Sequence, residues 1–241
     1  MFNSMLLSKR TAFSLGFVLW AGFLTVVMEP LSAMSGTFSS SPAYKPTPRP
    51  QPQRTEGGGS RGCLNTESVA LQLLVPKDHT AFTSSAYPTL SWYISAVPSI
   101  PLELSLVEEG VAEPILVKQL PVKNAGLMKF KLDEDTAGLE VGKQYRWTVS
   151  LICNPSRPSQ SIYARAWLER VPVSKDVAKK IANRSAYDKA LAYIQAGIWY
   201  DAIAVIYESQ LTDSDAVLAS NLFQKLLQQV GIAEAGAIKL L

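Results

Sequence analysis

Residues 139–153 read Leu-Glu-Val-Gly-Lys-Gln-Tyr-Arg-Trp-Thr-Val-Ser-Leu-Ile-Cys. From Tyr145 onward every second residue is large and apolar: Tyr145, Trp147, Val149 and Leu151. A period of two marks a strand with one buried face. Arg146, Thr148 and Ser150 take the other face. Upstream, Leu139, Gly142 and Tyr145 have the spacing of a tyrosine corner, where a turn glycine precedes a tyrosine that opens a strand.

The same alternation recurs on both sides of this stretch. Leu71, Leu73 and Val75 form one run, ended by Pro76. Leu90, Trp92 and Ile94 form the next, opened by Pro88. Leu102, Leu104 and Leu106 follow, then Ile115 and Val117, then Met128, Phe130 and Leu132. Ile162, Ala164, Ala166 and Leu168 close the series. Seven runs of strand length with turn residues between them predict an antiparallel two-sheet sandwich over residues 62–172. An inward Trp92 on an early strand, followed by the Tyr145 corner, resembles fibronectin type III and immunoglobulin-like sandwiches.

After Pro172 the period changes to 3.6. Ser174 is placed to cap a helix with Asp176 in its first turn, and Val177 and Ile181 share a short face. Tyr187, Leu191 and Ile194 make another face, ended by Gly197. Trp199, Ala202, Ile203, Ile206 and Tyr207 form the stripe of the next helix. Asp213 or Ser214 is expected to cap a last one carrying Val217, Leu218, Leu222, Leu226 and Val230. Residues 192–203, with Tyr207 and Leu211 beyond them, resemble one tetratricopeptide unit. A single unit is too small for a repeat array, so residues 173–241 are expected as a helical hairpin with a third helix, docked on the sandwich. The fold class is α+β.

Composition limits the chemistry. The chain has 241 residues, 47% of them hydrophobic, with one His, two Cys and a net charge of +3. Six of the 23 Lys and Arg but only two of the 20 acidic residues precede residue 62. The rest is therefore close to neutral and lacks the basic face of a nucleic-acid binder. The excess belongs to the N-terminus. Lys9 and Arg10 precede 18 uncharged residues, 11–28, and Ala33 and Ser35 stand before a cut at Gly36. That pattern is a signal peptide over residues 1–35. An uncleaved anchor is the alternative, since the apolar stretch is near the lower limit for spanning a bilayer. Either way the expected address is the periplasm or cell envelope, with membrane contact only through that segment if it is retained.

Residues 36–61, rich in Pro, Gly and Ser, are expected as a disordered linker that buries almost nothing. Removing the chain up to residue 62 is then expected to change the melting temperature by no more than about a degree or two. Residues 57–60, Gly-Gly-Gly-Ser, lack the strand, Lys-Ser/Thr and helix of a phosphate loop. In an exported chain the two cysteines, Cys63 and Cys153, are expected to pair. Closing a loop of that size stabilises by about 4–5 kcal/mol in the simplest chain-entropy model.

No catalytic residue, metal site or cofactor is expected. His79 sits in a turn beside Asp78, and sequence neighbours in a loop rarely face each other as a catalytic pair does. No GxSxG elbow is present. Glu108-Glu109 and Asp133-Glu134-Asp135 read as solvated turns, with weak calcium binding by the latter as the alternative. The candidate binding surface is Arg146, Arg165, Trp167 and Trp199, because Trp and Arg are enriched where proteins bind. Two readings of Trp167 stand: covered by the helices, which is favoured, or exposed between arginines.

Arg61-Gly62-Cys63, residues 87–93 (Tyr-Pro-Thr-Leu-Ser-Trp-Tyr), residues 150–155 (Ser-Leu-Ile-Cys-Asn-Pro) and residues 197–202 (Gly-Ile-Trp-Tyr-Asp-Ala) resemble the cyanobacterial "domain of unknown function 928" family. The resemblance spans roughly residues 61–210. It implies an exported cell-envelope protein of a cyanobacterium-like organism and carries no catalytic residue with it. The expected function is a non-enzymatic module that binds an envelope protein. The alternative is a carbohydrate- or peptidoglycan-binding module that stacks sugars on Trp167 or Trp199.

Overall fold

The computed structural model describes residues 42–46, 56–58, 69–154, 156–157, 160–209, 216–232 and 238. Each apolar run becomes a strand: β2 (Leu71–Leu73), β4 (Thr89–Ile94), β5 (Leu102–Glu108), β6 (Leu116–Leu120), β7 (Gly126–Lys131), β8 (Gln144–Leu151) and β9 (Ile162–Arg170). Two strands were not legible as runs, β1 (Glu56–Gly58) and β3 (Ala81–Thr83).

The strands form two sheets. One runs β2-β4-β7, all antiparallel. The larger runs β1-β9-β8-β5-β6 and adds β3, which pairs with β9 in parallel. One edge of β9 is thus shared: β1 covers residues 163–165 and β3 covers 168–170. Inward residues of both sheets meet in one core, where Leu90, Trp92, Leu104, Trp147 and Leu168 have no accessible surface.

The tyrosine corner is formed. The Tyr145 hydroxyl accepts a hydrogen bond from Glu140 N at 2.8 Å. Gly142 turns the chain with φ +84°, a conformation that residues with a Cβ rarely adopt. Tyr145→Phe, which removes only that acceptor, is expected to lower stability by about 1 kcal/mol in urea denaturation.

Four helices follow among the described residues: α1 (Lys175–Ile181), α2 (Ala186–Gln195), α3 (Trp199–Ser209) and α4 (Ala216–Gln229). Ser174 caps α1, accepting from Val177 N, and Ser185 caps α2, accepting from Asp188 N. That second cap separates two helices where one capped start was read. α2 ends in a Schellman turn: Gly197, φ +73°, donates to Ile194 O and Ile198 N donates to Tyr193 O. In α4 the buried stripe is Ala219, Leu222, Phe223, Leu226 and Leu227. Val217 and Leu218, assigned to that stripe from the sequence, are instead exposed, because the buried face runs through Ala219 and Phe223. The expected caps Asp213 and Ser214 lie outside the described residues.

Residues 40–241 are one compact unit, sheets and helices together. The string Gly197–Ala202 makes the joint. The Trp199 indole Nε1 donates to Leu74 O at 2.8 Å. The Tyr200 hydroxyl accepts from Trp147 Nε1 at 2.8 Å. Asp201 accepts from Thr83 Oγ1 at 2.8 Å, from Ser84 N at 3.0 Å and from Ser84 Oγ. Ala202 is fully buried and small enough for close packing. Trp147 and Trp199 therefore tie the two parts with their polar ends as well as their rings. Among the described residues the Trp92 indole N–H has no acceptor and is held by packing.

The expectation for residues 36–61 needs correction. Tyr44 is only 4% exposed, and Glu56–Gly58 adds a strand to β9. An aromatic ring among prolines escaped a reading based on composition, because one buried side chain does not change the composition. Deleting residues 1–61 is accordingly expected to cost about 2–3 kcal/mol for the lost ring burial. That lowers the melting temperature by about 4–12 °C for a body of this size, as differential scanning fluorimetry would show.

Candidate functional site

The outward residues of the large sheet fall into three rows across the strands. Val107 of β5 faces Arg146 of β8, which faces Trp167 of β9. Ser105, Thr148 and Arg165 form the next row, and Glu103, Ser150 and Tyr163 the third. Period-two alternation places these side chains opposite the core. Two cations lie over aromatic rings: the Arg146 guanidinium is 5.7 Å from the Trp167 centroid, and Arg165 is 5.1 Å from that of Tyr163.

At the end of the first row is a hollow of about 270 Å³, lined by Val107 to Ala112, Arg146 and Trp167. Gly110, φ +78°, turns the chain along its rim. Its lining takes nothing from the helices, so the favoured reading of Trp167, a ring covered by the helices, is corrected. The ring is half-buried by Arg146 and by the turn after β5. The helices pack elsewhere, with α3 against β3 and β4.

Of the four candidate surface residues, the structure brings Arg146, Arg165 and Trp167 onto one face. Trp199 is not among them. It is fully buried at the joint, because its stripe on α3 faces the sheets. Cys153 is not a free thiol, and Cys63 lies outside the described residues.

Other charged residues pair on the surface. Lys143 bridges Glu108 at 2.8 Å and Glu140 at 3.2 Å, and these hydrogen bonds raise its pKa. Lys118 meets Asp133 at 3.3 Å. No group of three His, Cys, Asp or Glu able to hold a metal occurs among the described residues. Nor is any described helix long and apolar enough to cross a membrane.

His79 departs from its expected place on an open turn. Its side chain is 15% exposed and Nδ1 lies 2.7 Å from Asp78 Oδ1. The neighbouring carboxylate does orient the ring, because the ring folds inward against Tyr44. Nε2 is 3.0 Å from the Tyr44 hydroxyl. Asp78, His79 and Tyr44 thus form one hydrogen-bonded chain. Burial, and secondarily the Asp78 charge, push the Tyr44 pKa up, the opposite of an activated nucleophile.

A second cleft of about 160 Å³ opens where α3 meets β4, lined among others by Tyr87, Tyr193, Asp201, Lys131 and Glu208. Asp201 is already engaged by Thr83 and Ser84. Burial raises the Tyr193 pKa, more than the nearby Asp201 charge does.

With this geometry in place, comparison with known families decides the identity. A family model described as Domain of Unknown Function (DUF928) matches residues 56–239. The chain belongs to the DUF928 family. The match begins at β1 and takes in both sheets and the four helices of the described residues. It thus includes the outer face of β8 and β9 and the α3 joint. A search of curated proteins finds no match.

Proposed function

We propose that this DUF928 protein is an exported, non-enzymatic module of the cell envelope. It binds another protein through the outer face of the large sheet, at Arg146, Arg165 and Trp167. The observation that carries the reading is the hollow beside Trp167. A half-buried indole under a guanidinium, beside a depression where Val107, Val111 and Ala112 alternate with Glu108 and Glu109, pairs an aromatic and an arginine of the kind enriched at protein-binding hot spots with a polar rim. Export rests on the Lys9-Arg10 start, the apolar residues 11–28 and the Ala33/Ser35 cut pattern. It also predicts the Cys63–Cys153 disulfide. Non-reducing mass spectrometry of the secreted chain is expected to find no free thiol and one intramolecular bridge.

The strand body reads best as a fibronectin type III- or immunoglobulin-like sandwich. The Tyr145 corner and the buried Trp92 support this, while the parallel β3–β9 pair is a departure. The carbohydrate reading is weaker. Burial of Trp199 removes one of its two named stacking platforms, and the other, Trp167, has Arg146 over its ring.

The test uses the mature chain as bait on the envelope fraction of its source. Arg146→Ala with Trp167→Ala is expected to abolish capture of a specific partner while the variant still unfolds in one cooperative transition, at a cost of about 2 kcal/mol for the half-buried ring. Unchanged capture by the double variant contradicts the assignment. Retention on purified peptidoglycan, lost in the same variant, would favour the carbohydrate reading.

A further inference from the structure

Beyond the outer face, the fold contains a slot that holds one residue by both backbone and ring. Its occupant is Tyr44. Gln229 on α4 engages both backbone polar groups of that residue: Tyr44 N donates to Oε1 at 2.9 Å, and Nε2 donates to Tyr44 O at 2.6 Å. Next along the chain, Lys45 N donates to Ile194 O in the last turn of α2, at 3.4 Å. The Tyr44 ring stacks on His79, with centroids 5.6 Å apart and planes 16° apart. It meets the Trp199 ring edge-on at 4.9 Å. Its hydroxyl is 3.0 Å from His79 Nε2, and the Asp78 carboxylate fixes the imidazole from the other side. In the neutral ring, Nδ1–H donated to Asp78 leaves Nε2 as an acceptor for that hydroxyl.

The division of labour is that of peptide recognition. A side-chain amide pairs with main-chain N–H and C=O, which any residue offers. An aromatic slot with a polar end then selects the side chain. Every partner comes from elements distant in sequence: the turn after β2, α2, α3 and α4. The slot is therefore a property of the folded body, and residues 43–45 are its ligand supplied by the same chain. We propose that this is a tyrosyl-peptide site, filled in cis by Tyr44 and able to accept an extended tyrosine-bearing segment from another chain once its own segment is withdrawn. Tethering explains why the cis ligand prevails, since a linked segment acts at an effective concentration in the millimolar range. This inference does not depend on the outer-face reading.

The test empties the ring slot and refills it. The probe is N-acetyl-L-tyrosine methylamide, which carries the N–H, C=O and phenol that the slot reads. It is added to the mature chain shortened to begin at residue 47, which frees Gln229 and the ring slot together and keeps β1. At about 10 mM it is expected to raise the shortened chain's melting temperature in a concentration-dependent way. It should leave the wild type unchanged, because there the slot is already full. The phenylalanine analogue, which lacks the hydroxyl, should bind several-fold more weakly. Adding His79→Ala should remove that difference, and adding Gln229→Ala should remove the response. If the shortened chain is unfolded alone, the probe must restore its near-ultraviolet dichroism. No response to the probe, or an equal response to the alanine analogue, overturns the proposal.

Discussion

Trp199→Ala is expected to cost about 3–5 kcal/mol and to lower one unfolding transition of the whole body. The side chain has no accessible surface. Removing it leaves a cavity at the joint between α3 and the sheets, and cavities at well-packed sites relax only partly. Two further losses add to the cavity. The Leu74 carbonyl loses the indole donor at 2.8 Å, and a buried acceptor without a partner carries a desolvation penalty. The Tyr44 ring loses its edge-on neighbour at 4.9 Å, which loosens the N-terminal segment. Urea denaturation followed by tryptophan fluorescence and by helical dichroism should give coincident curves, both shifted to lower midpoints. Trp199→Phe keeps most of the volume but not the N–H, and should recover more than half of the loss.

Asp201→Ala is expected to cost about 3 kcal/mol, because one carboxylate serves three donors from β3 and the residue after it. Hydrogen bonds to a charged acceptor contribute about 1.5–3 kcal/mol each. They share one acceptor, so their contributions do not simply add. Asp201→Asn retains one carbonyl acceptor and should lose about half as much. The midpoint should fall in both variants while the denaturant slope stays constant, since the surface exposed on unfolding does not change. A loss below about 0.5 kcal/mol, the range of an ordinary surface substitution, would show that Asp201 does not hold the helices to the sheets.

The strands were legible because burial on one face writes a period of two into the chain. In β8 the burial alternates residue by residue from Tyr145 to Leu151. The tyrosine corner was legible for a related reason: its hydrogen bond spans five residues, so its spacing survives in the sequence. β3 was missed because all three of its residues are buried, which leaves no alternation to see. It lies where one sheet meets the helices. β1 was missed because Glu-Gly-Gly carries no strand pattern and gains its pairing from β9.

The site followed the same logic. Arg146, Arg165 and Trp167 sit outward on regular strands, and alternation alone places them on one face. Trp199 carries an equally strong aromatic signal, but helical periodicity does not say whether a stripe faces a sheet or a ligand. The role of Asp201 was invisible, since its partners lie 117 and 118 positions away. Residues 197–202 stood out as a string because five of the six act at the joint: a turn glycine, two aromatic ring donors or acceptors, a carboxylate and a small packing residue. Tyr44 and His79 were illegible as a pair for the same reason, being 35 positions apart in stretches that each read as loop.

The central claim is that the two sheets and four helices of the described residues form one cooperative body, and that the outer face of the large sheet binds a partner. Differential scanning calorimetry of the mature chain tests the first half most directly. The account predicts a single endotherm with a calorimetric enthalpy equal to the van't Hoff enthalpy, moved as a whole to lower temperature by Trp199→Ala. Two endotherms, with only the helical one moved by that substitution, would contradict it and make the helices an independent module tethered to the sheets.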